Sequence, residues 1–334
     1  MKKIISILSI FIIIILLLSQ QKNYYRKPIS HSSFMFDTIT TITLYSANTD
    51  KNPNDIINNA NKICKELENK LSKTIKGSDI YNINNSKKDE PIQVSNETAE
   101  LLQLSKKYYE LSNGAFDITL SNISDIWNFK EENKVPPSKE EIQNILKDTG
   151  MQYINLNKNI VKKTNSNVKI DLGGIAKGYI ADKTAEYLIS ENVTSAIINF
   201  GGNIVTIGSK LNNKPFNIGI QKPFSKTNEI IGKVQSKNNT VVTSGIYQRY
   251  FEYNNEIYHH IINPKTGKPA KSGLSSVTIE YSKSADADAL STACLILGEE
   301  KGLELINKIK GASAIFIRED GSYIKSENST FSEK

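Results

Sequence analysis

Cysteine, tryptophan and histidine are scarce in this chain, with two, one and three copies among 334 residues, and each scarcity removes a class of function. Cys64 and Cys294 each sit inside a helical apolar pattern, so they read as small core residues rather than as a disulfide or a metal pair. No G-x-G-x-x-G pattern follows a strand, which leaves a Rossmann dinucleotide site unsupported. Lysine and arginine outnumber aspartate and glutamate by 42 to 35, a formal net charge of +7, yet the lysines are scattered among glutamates and asparagines. A nucleic-acid face gathers such residues into a stripe with aromatics, so nucleic acid is not an expected partner. The positive balance suits an anionic substrate or an anionic membrane surface instead. With 38% apolar and 23% charged residues the composition is globular, and the length allows one large or two smaller domains.

A long apolar run occurs once. Lys2 and Lys3 precede a stretch from Ile4 to Leu18, broken only by Ser6 and Ser9, and Lys22, Arg26 and Lys27 follow it. That is an export signal. Its length is at the lower limit for crossing a bilayer, no small-x-small cleavage pattern follows, and no cysteine stands there to take a lipid. Residues 1–27 are therefore expected to be an uncleaved signal anchor with a short tether, the alternative being a cleaved signal peptide. Residues 28–334 are expected to form one body at the extracytoplasmic face of the cell membrane.

In that body the pattern switches repeatedly between periods of two and of three to four. A strand is expected from Phe34 to Ser46, a helix carrying Ile56, Ile57, Ala60, Ile63, Cys64, Leu67 and Leu71, and a second helix from Asn96 to Leu111 with Ser95 as N-cap. Residues 72–95 read as polar and turn-rich, and a short helix carrying Ile142, Ile145 and Leu146 ends at Gly150. Strands are expected over 160–172, 196–208, 215–221, 230–236, 240–243, 247–254, 257–262, 274–281 and 312–318, many joined by short turns. The fold class is therefore α+β, one compact body with a largely antiparallel sheet and packed helices.

The residues richest in chemistry are Asp171 to Gly178, DLGGIAKG, where an alternating strand carrying Val168, Ile170 and Leu172 gives way to a helix carrying Ala181, Ala185 and Leu188. Gly173 and Gly174 fall in the turn, the helix N-terminus favours anions, and Lys177 adds a cation one turn in. A tight strand–helix junction without a ligand explains the same residues. Ser284 to Gly298, SADADALSTACLILG, reads as a helix capped by Ser284, with Asp288, Ser291 and Thr292 together on one face. A carboxylate with hydroxyls offers hard oxygen ligands for Mg²⁺; helix-dipole complementation by Asp288 is the competing account. In YHHIINPKTGKP, residues 258–269, His259 and His260 face opposite ways if they lie on a strand, so at most one points into a site. NFGGN (199–203), VVTSGIY (241–247) and NGAFD (113–117) complete the set.

In this order and spacing, DLGGIAKGYIAD, NFGGN, VVTSGIY, HHIINPKTGKP and DALSTACLILG closely resemble the ApbE family, the FAD:protein FMN transferases, over about Met35 to Ile317. The resemblance implies Mg²⁺-dependent transfer of FMN from FAD to a Thr or Ser hydroxyl of an extracytoplasmic acceptor protein, with release of AMP. It implies FAD contacts at Met35, Ala115, Phe116, Asp117, Asp171, Lys177 and Ile262. It places the metal on the Gly174 carbonyl, the Asp288 carboxylate and the Thr292 hydroxyl. Ser291 stands where some relatives have a second acid, which favours one metal ion over two, and Thr74 stands where relatives often place a flavin-stacking tyrosine. His260, Lys177 and Asp288 are the expected catalytic groups, with His260 as base for the acceptor hydroxyl. An FMN-carrying subunit of a membrane redox complex or an extracellular electron-transfer protein is the expected acceptor. An FAD pyrophosphatase and a non-enzymatic flavin-binding protein are the alternatives.

Overall fold

A computed structural model describes residues 24–129, 131, 135–225 and 229–334. The expected signal or anchor segment lies outside the described residues up to residue 23; positions 24–27, assigned above to its tether, begin the first strand instead. Among the described residues no helix is long and apolar enough to cross a membrane.

The chain opens with the hairpin β1 (Tyr24–Met35) and β2 (Thr38–Ala47), followed by α1 (Pro53–Leu71), α2 (Asp79–Asn85) and β3 (Ile92–Gln93). Three helices come next, α3 (Asn96–Leu111), α4 (Ser121–Trp127) and α5 (Lys139–Leu146), then the hairpin β4 (Ile154–Asn157) and β5 (Ile160–Lys163). After α6 (Ala176–Ser190) come β6 (Val193–Phe200), β7 (Asn203–Ile207), β8 (Phe216–Gln221), β9 (Ile230–Ser236) and β10 (Thr240–Gly245). Short strands β11 (Tyr250–Tyr253), β12 (Glu256–His259), β13 (Ile262–Asn263) and β14 (Lys268–Pro269) precede β15 (Leu274–Tyr281). The chain closes with α7 (Ser284–Leu297), α8 (Glu299–Asn307), β16 (Ser313–Arg318), β17 (Tyr323–Lys325) and β18 (Ser332–Glu333).

Eight strands form the main sheet in the order β1-β2-β6-β7-β10-β15-β16-β17, and every neighbouring pair is antiparallel, as the short turns predict. Alternation along the strands separates two cores. In β16, Ala314 and Phe316 join the large core shared with α1, α6 and α7. Ile315 and Ile317 point the other way, into a smaller core with Phe216, Ile218 and Ile220 of the sheet β18-β9-β8. A strand apolar on both faces is what two covered faces require. Helix α7 is buried nearly all round, from Ala285 through Leu295, because it lies between the sheet and α6.

Five expectations from the sequence are corrected. The single strand over 34–46 is a hairpin: Phe36 and Asp37, with φ of 56° and 57°, reverse the chain in a two-residue turn. The strand over 196–208 breaks the same way at Gly201 and Gly202. Residues 160–172 form a strand only in β5; beyond it, 168–172 is an extended arm with one isolated parallel bridge, Lys169 to Leu120, and Asn84 bonds both the N–H and the carbonyl of Ile170 at 2.7 and 2.8 Å. Buried Lys163 ties that arm down by donating to the carbonyls of Asn84, Ser166 and Val168. The polar stretch 72–95 hides α2, and α4 was not expected at all, since each is too short for its period to stand out.

The fifth correction concerns the cap of α7. Ser284 is the first helical residue, and its hydroxyl is buried without a partner among the described residues. The cap comes from α6, where the two carboxylate oxygens of Asp182 accept the Ser284 and Ala285 N–H groups at 2.9 Å each. Burial pushes the Asp182 carboxyl up to about 6, against those two bonds. Asp182→Ala is expected to destabilise the fold by about 1–2 kcal/mol, the scale of a lost N-cap. Urea unfolding measures it, and an unchanged midpoint contradicts the assigned cap.

Candidate active site

The arm 168–172 delivers the glycine turn to the N-terminus of α6. Val168, Ile170 and Leu172 are buried as the alternation predicts, and the Asp171 N–H bonds the Ile118 carbonyl at 2.8 Å. Asp171 Oδ1 then accepts the Gly173 N–H at 2.8 Å while its Oδ2 meets Lys73 Nζ at 2.9 Å. Lys73 also reaches Asp125 at 2.7 Å; burial opposes its charge, but the two carboxylates outweigh burial and raise its pKa. Lys73 is a member of this cluster that sequence reasoning missed, because residue 73 lies in a stretch with no period.

Gly174 serves close approach. A Cβ there would sit 3.2 Å from the Phe116 ring and 3.6 Å from Thr292 Oγ1, so the turn touches both the AFD segment and α7. Gly178 is tighter still, since a Cβ would lie 2.2 Å from the Ser284 carbonyl. This contact lets the Gly178 N–H donate to Asp288 Oδ2 at 2.9 Å across the two helices. The ordinary acceptor for that N–H is the carbonyl four residues back. Among the described residues no backbone N–H bonds the Gly174 carbonyl, and the Gly174 and Lys177 N–H groups take no backbone acceptor. The helix end thus offers an unpaired carbonyl beside a 3% exposed carboxylate, and donors beside both.

Lys177 Nζ donates to the Gly173 carbonyl at 3.0 Å and lies 4.0 Å from Asp288 Oδ2. Thr292 Oγ1 is 3.3 Å from Ser244 Oγ at the end of β10. The fully buried hydroxyl of Ser291, a candidate metal ligand from the sequence, bonds the Asp288 carbonyl at 2.9 Å and Ser244 Oγ at 2.7 Å. It holds Ser244 in place, a residue of the VVTSGIY segment to which the sequence assigned no role of its own. The other acid of the motif, Asp286, faces away, bonded to Tyr108 and Lys107 on α3. Among the described residues no three His, Cys, Asp or Glu side chains cluster around a common point.

The two histidines separate as strand geometry requires. His259, 5% exposed, bonds the Ala270 carbonyl through Nε2 at 3.0 Å. His260, just past β12, lies against the Arg249 carbonyl, which accepts both its backbone N–H and its Nδ1 at 3.1 Å. A carbonyl only accepts, so Nδ1 carries the proton and Nε2 keeps the free lone pair. Burial lowers the His260 pKa to about 3, against its bond to Arg249, and the positive charges of Arg249 and Lys177 add to the lowering. His260 is therefore neutral near pH 7 and lies within electrostatic reach of Lys177.

An open cleft of about 450 Å³ lies beside it, lined by Asp37, Phe129, Gln248, Arg249 and Tyr250. Its walls do not include Lys177 or Asp288; Arg249 connects the two regions through His260. Of the remaining expected FAD contacts, Met35 and Ile262 pack near residues of this cleft, and Phe116 lies against the glycine turn. Met35 is buried at the end of β1, before the turn that carries Asp37. Ala115 and Phe116 are buried, and Asp117 Oδ1 accepts the Thr119 N–H and hydroxyl at 2.8 and 2.7 Å, while burial raises its pKa. Ile262, in β13, packs with Ile123, Trp127 and Ile142, and Trp127 Nε1 pins the following turn through the Gly267 carbonyl at 2.7 Å. Thr74 is exposed and bonded to Ser72.

The ApbE family model matches residues 36–316. A FAD:protein FMN transferase of Klebsiella pneumoniae is 32% identical over 267 residues, covering 79% of this chain and 83% of that protein. Another, of Treponema pallidum, is 29% identical over 306 residues, covering 87% and 84%. Among solved structures, the ApbE protein of Thermotoga maritima superposes with a TM-score of 0.83 at 32% identity, over 90% of this chain and 97% of that one. The apo flavinyl transferase ApbE of Pseudomonas stutzeri gives 0.79 at 26% identity, over 91% and 94%.

Burial lowers the His259 pKa from 6.5 to about 4, with the Ala270 bond opposing it. The folded state thus resists protonation that the unfolded chain accepts, so this contribution to stability is complete above pH 6.5 and is lost as pH falls toward 4. The slope is at most about 1.4 kcal/mol per pH unit for each histidine. Urea unfolding of wild type and His259→Gln between pH 8 and pH 4.5 (~6.5 being the ordinary histidine value) checks this. The wild-type curve is expected to fall more steeply below the histidine pKa; parallel curves contradict the assignment.

Proposed function

This chain belongs to the ApbE family, and from that premise we propose that it is an FAD:protein FMN transferase acting on a Thr or Ser hydroxyl of an extracytoplasmic protein, with AMP as the leaving group. The observation that carries the reading is the α6–α7 junction, where the Gly178 N–H bonds Asp288 and leaves the Gly174 carbonyl, the Asp288 carboxylate and the Thr292 hydroxyl side by side. These are hard oxygen donors, and they suit a Mg²⁺ ion that keeps several waters and shares oxygens with a pyrophosphate. When bound, the metal neutralises charge on the phosphoryl oxygens and on the leaving group.

The chain's own residues supply the rest. The N–H groups of Gly174 and Lys177 and the Lys177 ammonium form a cradle for the FAD pyrophosphate at the positive end of α6. His260 Nε2 accepts the proton of the acceptor hydroxyl. The acceptor oxygen forms its bond to the FMN phosphorus as the bond from that phosphorus to the bridging oxygen breaks. AMP departs with the bridging oxygen, and the product is a phosphoester. Alignment of the hydroxyl with phosphorus matters most, since little covalent work falls to the enzyme. The proposed acceptor is a redox-complex subunit or an extracellular electron-transfer protein, met at the outer face of the membrane where the N-terminal segment holds the enzyme.

Two substitutions test this with the full chain, FAD, Mg²⁺ and a flavin-acceptor domain, following AMP and protein-bound flavin together. Asp288→Ala is expected to abolish Mg²⁺-dependent turnover, and full activity in that variant removes the metal assignment. His260→Ala is expected to keep FAD binding while transfer falls about 10²–10⁴-fold, the range for a lost general base. An unchanged rate rules out the base.

A further inference from the structure

The face of the main sheet opposite the helices is only partly covered. The sheet β18-β9-β8 lies over β10 and β16, where Phe216, Ile218, Ile220 and Val234 meet Val241, Ile315 and Ile317. Tyr45 of β2 packs against Phe216 with ring centroids 5.3 Å apart, so the odd-numbered residues of β2 look toward this second layer. On the same side of β2, Ile39 is 67% exposed, and Phe34, its direct partner across the hairpin, is 74% exposed. Among the described residues no strand continues the second layer beyond β8 to cover them.

The missing strand has a prepared edge. The Lys334 N–H donates to the Ile231 carbonyl at 3.2 Å, and Ser332 pairs with Lys233. Odd-numbered residues of β9 therefore turn their backbone groups toward β18, and Gly232 and Val234 turn theirs toward Ile220 and Ile218. By the same alternation, Asn217 and Gly219 of β8 present N–H and carbonyl groups away from β9, and nothing among the described residues bonds them. A groove of about 150 Å³ runs along this edge, lined by Ile218, Gly219, Gln221, Asn199, Thr243 and Gln248 among others. Gln248 also lines the larger cleft, next to Arg249, whose carbonyl holds His260.

We propose that an extended segment of the acceptor protein pairs with β8 as the next strand of the second layer. Backbone hydrogen bonds to Asn217 and Gly219 fix its register, alternate apolar side chains cover Phe34 and Ile39, and the groove leads its hydroxyl past Gln248 to His260. The inference rests on the transferase reading above. Gln248, which lines both the groove and the cleft beside Arg249 and His260, singles out the acceptor, because a hydroxyl has to arrive there.

The test uses the full chain with FAD and Mg²⁺, and two probes: the soluble acceptor domain of a flavinylated redox subunit, and a synthetic peptide spanning its acceptor threonine. Asn217→Pro removes an outward N–H that the fold itself does not use, which an edge strand tolerates. Its thermal midpoint and its KM for FAD are expected to match wild type, while KM for the acceptor domain rises about tenfold, the loss of roughly one edge hydrogen bond and its neighbours. Asn217→Ala keeps the N–H and is expected to change neither KM. In wild type, hydrogen exchange at Asn217 and Gly219 is expected to be fast in the chain alone and slowed by saturating peptide, a readout that stands even if the proline variant fails to fold. An unchanged acceptor KM in folded Asn217→Pro overturns the docking. So do amides already protected without peptide, or not protected with it. If wild type binds the peptide at β8 yet moves no FMN to either probe, it is the transferase reading that fails.

Discussion

The hydrogen bond from the Gly178 N–H to the Asp288 carboxylate joins two helices that are far apart in sequence, and the rest of the site follows from it. It forms only because residue 178 has no side chain: the helices approach until the position of a Cβ at 178 would lie against the Ser284 carbonyl. That proximity lets Asp182 on α6 cap α7 with both oxygens. It diverts an N–H from its helical partner and leaves the Gly174 carbonyl open beside the carboxylate. A buried carboxyl group needs bonded company, and Asp288 has an N–H and a nearby ammonium. One close contact thus stabilises the packing and creates the donor set.

The second organising feature is the Arg249 carbonyl. By accepting Nδ1–H of His260 it selects the tautomer whose free nitrogen is Nε2, and burial keeps that ring neutral. Arg249 also borders the open cleft, so one residue relates the proposed base to an open space beside it. The charge of Lys177 reaches the same imidazole, which links the glycine turn to the histidine without any direct contact between them.

Much of this was legible in the sequence wherever local pattern and tertiary role coincide. The helix from Pro53 to Leu71 and the Ser95 cap were readable because their apolar spacing and caps are local, and the run from Ser284 to Leu297 was readable from its apolar spacing alone, its cap being supplied by Asp182. The turn at Gly173 and Gly174 was readable too, although neither glycine is there for a positive φ; what matters is the approach of Phe116 and Thr292. Reversals at Phe36–Asp37 and Gly201–Gly202 were lost because strands on both sides keep the same alternation through a two-residue turn. Lys73, Ser244 and Asp182 were lost for a different reason: each acts on residues that tertiary folding brings to it, and no spacing along the chain reports that. The resemblance to the ApbE family supplied roles that periodicity does not carry, and the match over residues 36–316 agrees with its extent.

The central claim is that the α6–α7 junction and His260 serve transfer of FMN to a protein hydroxyl rather than to water. The most direct measurement follows AMP and flavin together, with FAD and Mg²⁺, in the presence and absence of an acceptor domain that is denatured before its fluorescence is read. The account predicts AMP in equal amount to flavin that stays on the denatured acceptor, and negligible AMP without it. AMP and free FMN released at the same rate with or without acceptor would contradict it and identify a pyrophosphatase.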